Sequence, residues 1–193
     1  MATNKVDNTL WIGDFNDGLF KSVNGGTPTQ ITNGLSTQGI TALSVSNDGQ
    51  LIVVGVKAST NRETWVSRDG GNSFRQFSDP AETGNPIRKS GVNRVEYSIS
   101  DKKVNGKYYV YAVVSASSSH FGGAWVSDDN GVNWDETAPL VTVQQVNDQV
   151  SELFNPVASG SNPQGAYNLI VSATPWDATG CFIGGIDMHR WKQ

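Results

Sequence analysis

Ser67-Arg68-Asp69-Gly70-Gly71-Asn72-Ser73-Phe74 and Ser127-Asp128-Asp129-Asn130-Gly131-Val132-Asn133-Trp134 are the two stretches on which the fold turns. Aligned, both read serine, any residue, aspartate, any residue, glycine, any residue, serine or asparagine, then an aromatic. Each follows a short β-rich run with a tryptophan two residues before the serine, Trp65 and Trp125. A weaker copy runs from Phe20 to Thr27 and keeps Ser22 but no aspartate. A fourth unit opens at Gly184-Gly185-Ile186-Asp187-Met188-His189-Arg190-Trp191. Self-similarity at such intervals is the mark of a repeat architecture.

The motif has a physical logic. Asp69 and Asp129 suit the backbone N–H groups of a tight turn, and Ser67 and Ser127 suit closing its other side. Gly71 and Gly131 supply backbone conformations that a Cβ hinders. Phe74 and Trp134 carry large apolar faces to bury under the hairpin. These eight residues are therefore read first as a structural clamp, with a ligand- or ion-binding loop as the functional alternative.

Outward from the motif, no run of eleven or more residues places apolar side chains at i, i+3, i+4 and i+7, so helices are not expected. Short β-rich runs recur instead, bounded by Gly, Asn, Asp and Pro, with Asp17-Gly18, Asn24-Gly25, Asp48-Gly49, Asp69-Gly70, Asn105-Gly106 and Asn130-Gly131 as corners. The chain reads as all-β and antiparallel, a succession of hairpins.

The serine–aspartate–glycine–aromatic pattern resembles the Asp-box, or BNR repeat, of β-propellers such as sialidases, sortilin-type receptors and xyloglucan-degrading enzymes. The resemblance is strongest at Ser67–Phe74 and weakest at Ser22–Thr27. It implies a β-propeller arc of about 3.5 four-stranded blades in a single domain spanning residues 1–193, part of a larger ring. The blades fall at about 1–36, 37–79, 91–138 and 165–193, with an insertion at 139–164 carrying Pro139, Pro156 and Pro163. Blade one has no obvious inner strand, and blade four stops before its outer one. Three completions are open: another chain or copy, a longer or split protein, or a four-blade ring in which Ala2–Val6 completes the last blade. A completion is expected because an arc leaves apolar faces and sheet edges uncovered, and the first two are preferred because blade four lacks its outer strand and Ala2–Val6 is short and polar.

Composition excludes several functions. Of 193 residues, 37% are hydrophobic and 17% charged; the balance is rich in glycine, with 21 copies. A formal net charge of −4 with no basic run argues against nucleic-acid binding. No apolar stretch approaches the roughly 20 residues of a membrane helix, so no membrane insertion is expected. Cys181 is the single cysteine, and His120 and His189 are the two histidines, so neither a metal site nor a cofactor is expected. The Gly/Asn/Ser/Thr-rich, Lys-poor balance suits an extracellular or virion protein, although the first residues lack a signal peptide's apolar core.

Chemistry is harder to find. Glycoside hydrolysis needs two carboxylates about 5–10 Å apart, and the candidates are Asp14, Asp17, Glu82, Glu96, Asp101, Glu136, Glu152 and Asp177. None stands in a catalytic signature. The arginines are Arg62, Arg68, Arg75, Arg88, Arg94 and Arg190, and the Arg-Ile-Pro signature of sialidases is absent. The Ser115–His120 tip offers no base and acid for a serine nucleophile. Arg94 and Glu96 alternate along the inner strand of blade three, either as ligand contacts or as a salt-bridged wall. Trp176, in Thr174-Pro175-Trp176-Asp177, follows no repeat and is the best surface contact for a partner or a glycan. Tyr108-Tyr109-Val110-Tyr111 reads as packing between blades, and Cys181 as a small buried hydrophobe. The expected role is a non-catalytic scaffold for binding or assembly in a larger particle or surface complex, completed by another polypeptide or further copies. The alternative is a carbohydrate-binding or glycoside-hydrolase-like propeller fragment.

Overall fold

Tight corners set the architecture. Asn105 and Gly106, the two residues between the strands ending at Val104 and starting at Lys107, both have positive φ, the pairing that a two-residue turn matching the twist of antiparallel strands demands; Asn24-Gly25 and Asn130-Gly131 have positive φ within longer corners. The computed structural model describes residues 1–4, 6–35, 39–57, 62–76, 92–116, 119, 121–136, 164–165, 167–185 and 188–192. The chain divides into two units, Met1–Asn85 and Pro86–Gln193, and each is described by itself.

In the first unit, sheet 1 comprises β1 (Ala2–Thr3), β2 (Thr9–Asp14), β3 (Gly18–Val23) and β4 (Thr29–Gln30). Sheet 2 comprises β5 (Ile40–Val45), β6 (Ile52–Lys57), β7 (Arg62–Ser67) and β8 (Arg75–Gln76). In the second unit, sheet 3 holds β9 (Val92–Val104), β10 (Lys107–Ala116), β11 (Phe121–Ser127) and β12 (Asp135–Glu136). Sheet 4 holds β13 (Ile170–Thr174), β14 (Asp177–Gly184) and β15 (Met188–Lys192). Neighbours in space are neighbours in sequence throughout, and every pair is antiparallel. The fold is all-β, with the up-and-down strand order of propeller blades.

One expectation is corrected. Blade one has an inner strand: Ala2 pairs with Trp11 and Thr3 with Leu10. Ala2–Val6 therefore does not complete the last blade. Two residues, an alanine and a threonine, carry no periodicity to read. The strand is held instead by the Asn4 amide donating to the Thr9 carbonyl at 2.8 Å, while the Asn4 side chain accepts from the Val6 amide at 2.8 Å. The strand expected at Val92–Ser100 also runs on to Val104, because the Asn105-Gly106 corner places the turn there. The loop at 78–90 lies outside the described residues, as does the insertion at 139–164 apart from Gln164.

Within each unit two sheets pack face to face. Trp11 and Leu19 of sheet 1 meet Ile40, Ile52, Val54 and Val56 of sheet 2, with Phe74 beneath its turn. In the second unit Tyr109, Tyr111 and Val113 of sheet 3 meet Val171, Cys181, Ile183 and Trp191 of sheet 4. Tyr111 is anchored there by its hydroxyl, which donates to the Ala178 carbonyl at 2.6 Å. Its ring meets Trp191 edge-on, centroids 5.9 Å apart. Burial raises the Cys181 thiol to about 12, consistent with a packing role.

Candidate functional site

The β7–β8 and β11–β12 corners hold the repeated motif. Ser67 is buried; its hydroxyl accepts from the Gly71 amide at 2.8 Å and donates to the Asp69 carboxylate at 2.7 Å. The same carboxylate accepts from the Ser73 amide at 2.9 Å and the Ser73 hydroxyl at 2.6 Å. Ser127 does likewise with Gly131 at 2.9 Å and Asp129 at 2.8 Å. Asp129 accepts from the amides of Val132 and Asn133, both at 2.8 Å, and from the Asn133 side chain at 2.7 Å. Gly71 and Gly131 have φ of 86° and 74°. Phe74 and Trp134 are buried.

These bonds set the electrostatics. The Ser73 hydroxyl, then its amide and Ser67, hold Asp69 down at about 2. Burial pushes Asp129 upward, but bonds from Asn133 and Ser127 outweigh it and leave it below the usual carboxylate range. Both oxygens of each carboxylate are engaged within the turn. In the weaker copy, Ser22 donates to the Gly26 carbonyl at 2.6 Å, so the hydroxyl serves there without an acid.

Sequence reasoning missed a third serine–aspartate corner. In the β5–β6 turn the Ser46 hydroxyl donates to Asp48 at 2.7 Å and accepts from the Leu51 amide at 3.0 Å. The signal was present, since Ser46-Asn47-Asp48-Gly49 repeats the opening of Ser67-Arg68-Asp69-Gly70. Beside these corners the first unit has a polar cleft of about 210 Å³, lined among others by Asn4, Asp7, Lys21, Asp48, Gln50 and Asp69. The Lys21 ammonium sits 5.0 Å from the Trp11 ring centroid. Asp7 is lowered chiefly by the Thr9 hydroxyl, with burial opposing and the Thr9 amide and Lys21 assisting. Nothing about this lining was legible from spacing.

Arg94 and Glu96 lie on β9 with their partner contact to each other. The guanidinium Nε donates to Glu96 Oε1 at 2.8 Å and Nη2 lies 2.6 Å from the same oxygen. Their strand partners Ser115 and Val113 place them on the side of sheet 3 that packs on sheet 4. Two residues on, the Ser98 hydroxyl accepts the Ala173 amide of β13 at 2.8 Å. Burial raises the Glu96 carboxyl, and the Arg94 hydrogen bond and charge only partly offset it.

Trp176 stands apart, on the two-residue corner between β13 and β14. It is 63% exposed, with the edge of its ring system against Phe182, centroids 6.3 Å apart. The corner is fixed by Thr174, whose hydroxyl donates to the carbonyls of Asp177 and Gly180. Asp177 is held at about 2, first by Lys192 at 3.0 Å and then by Thr179. The remaining candidates disperse. Asp14 caps its own corner by accepting from the Asn16 and Asp17 amides at 2.7 and 2.8 Å. Glu82, Arg88, His120 and Glu152 lie outside the described residues, as do the side chains of Glu136 and His189. Among the described residues no group of three His, Cys, Asp or Glu side chains is placed to hold a metal ion.

No family model and no curated protein matches the chain. Among solved structures it is similar to the K499G mutant of NanB sialidase from Streptococcus pneumoniae, at 14% identity and a TM-score of 0.43, over 96% of this chain and 28% of that one. NanB with Optactamide gives 14% identity and a TM-score of 0.44, over 97% and 28%. The chain thus spans a little over a quarter of those structures, and its own sheet order defines the fold.

Proposed function

We propose that this chain is a non-catalytic segment of an Asp-box β-propeller, acting in binding or assembly within a larger particle or surface complex. The observation that carries this reading is the engagement of the motif's acids: Asp69 and Asp129 each have both oxygens bonded within their own turn. A carboxylate so committed is a clamp rather than an acid or base in waiting. Glu96, the acid on the inner strand, is likewise tied to Arg94. The glycine- and asparagine-rich composition supports an extracellular or virion setting. The test is a panel of fluorogenic glycosides, sialosides included, at high protein concentration. The expected rate equals that of buffer. Turnover that disappears in Glu96→Gln would overturn the reading.

A second reading, glycan binding, is favoured by Trp176. A largely exposed indole on a braced corner, beside Asp177 and Lys192, suits stacking on a sugar ring. A glycan array read with the wild type and with Trp176→Ala decides it: binding must appear in the first and vanish in the second.

A further inference from the structure

The cross-strand registers of sheet 4 sort its side chains into two faces. Val171, Ala173, Cys181, Ile183 and Trp191 belong to the core of the second unit. The opposite face is built of rows. Ile170, Gly184 and Met188 lie side by side, and then Ser172, Phe182 and Arg190. On that face Ile170 is 54% and Met188 69% exposed, and Trp176 borders it through its contact with Phe182. Large apolar side chains gathered in water on one face mark an interaction surface.

Sheet 1 also has an apolar face turned from its core, less exposed than that of sheet 4. Trp11 and Leu19 point into the core of the first unit. The alternate positions Leu10, Ile12 and Phe20 form the other face, each half-buried, with Ile12 opposite Phe20 and Asp14 closing the row opposite Gly18.

We infer that the outer face of sheet 4 is an assembly surface, and that its occupant is the outer face of sheet 1 on a second copy of this chain. Charge selects this pairing over the symmetric ones. Two sheet-4 faces would bring the Arg190 cations of both copies to one interface, Lys192 being neutralised by Asp177 of its own sheet, and two sheet-1 faces would bring both Asp14 carboxylates together. The mixed pairing sets Ile170, Phe182 and Met188 against Leu10, Ile12 and Phe20, with Arg190 beside Asp14. Face-to-face sheet packing of this kind is how the chain builds both of its own cores. Because the two surfaces differ, the contact is head-to-tail: copies add until a ring closes or a filament grows. The inference rests on the assembly reading above and names its partner and surfaces.

The experiment is mass measurement by light scattering on the full chain. The wild type should exceed the mass of one chain. Met188→Glu blocks one face and Ile12→Glu the other, and each variant alone should run as a monomer with unchanged circular dichroism. Mixed, they should form a one-to-one dimer, since each retains the face that the other has lost. If Ile12→Glu fails to fold, Met188→Glu and Arg190→Glu carry the test, and both must lower the mass. A monomeric wild type, or folded variants that stay monomeric when mixed, overturns the inference. Those outcomes leave the non-catalytic reading standing, whereas turnover in the glycoside panel removes that reading without touching this one.

Discussion

Replacing Ser67 by alanine asks how much a single hydroxyl contributes to the repeated corner. Ser67 is 1% exposed, and its oxygen accepts the Gly71 amide at 2.8 Å while donating to Asp69 at 2.7 Å. In Ser67→Ala the buried Gly71 amide loses its acceptor, a cost of about 1–3 kcal/mol, and Asp69 loses one charge-assisted bond worth about 1.5 kcal/mol at a partly exposed site. The sum is about 3 kcal/mol. At about 1.4 kcal/mol per tenfold, that predicts amide exchange at Gly71 faster by roughly 100-fold. Ser22→Ala is the internal control. There the hydroxyl only donates to the Gly26 carbonyl, which water can solvate, so the loss should be about 1 kcal/mol or less. Urea unfolding ranks the two variants, and amide exchange localises the effect. The reasoning fails if Ser67→Ala loses no more than Ser22→Ala, or if Gly71 keeps its protection.

Three further outcomes are expected. Asp69 and Asp177 sit at about 2 in the folded chain against an ordinary 3.8, so their stabilisation is fully present above the ordinary value and is lost as pH falls through about 2. Melting temperature should hold down to about pH 4 and then drop, less steeply in Asp69→Asn; a carboxyl ¹³C midpoint near 3.8 for Asp69 would contradict the bonding pattern. Gly71→Ala should cost about 3 kcal/mol, because its φ is +86° and a Cβ would fall 2.4 Å from the Trp11 ring, whereas Gly106→Ala, at φ +79° with nothing within 4 Å, should cost about 1 kcal/mol. Equal losses in thermal unfolding would show that the ring contact is immaterial. Arg94→Ala should raise the Glu96 titration midpoint further, since burial then acts without its counter-charge; an unchanged midpoint by carboxyl NMR would mean the pair is not formed.

How legible the molecule was depended on whether a signal was local. The Asn-Gly and Asp-Gly corners announce turns through the backbone freedom of their own residues, and runs such as Leu51–Val56 announce strands through their own side chains. Strand pairing then follows, because hairpins join neighbours in sequence. The inner strand at Ala2–Thr3 was not legible: two residues have no pattern, and only the facing backbone of Trp11 and Leu10 makes them a strand. The Ser46–Asp48 corner could have been read from its likeness to Ser67–Asp69 but stood outside the repeat. Trp176 was visible as a tryptophan that no repeat explains, yet its ring contact with Phe182, a residue of β14, was not.

By itself, the sequence determined the fold class, the hairpin order and the residues that clamp the repeated corners, since each depends on groups within a few positions of one another. Tertiary structure alone decided how far Glu96 is buried, that the Tyr111 hydroxyl reaches the Ala178 carbonyl, and which sheet faces are exposed. Those properties depend on burial and on distances between strands far apart in the chain. No local spacing encodes how much water a side chain loses when another sheet packs against it.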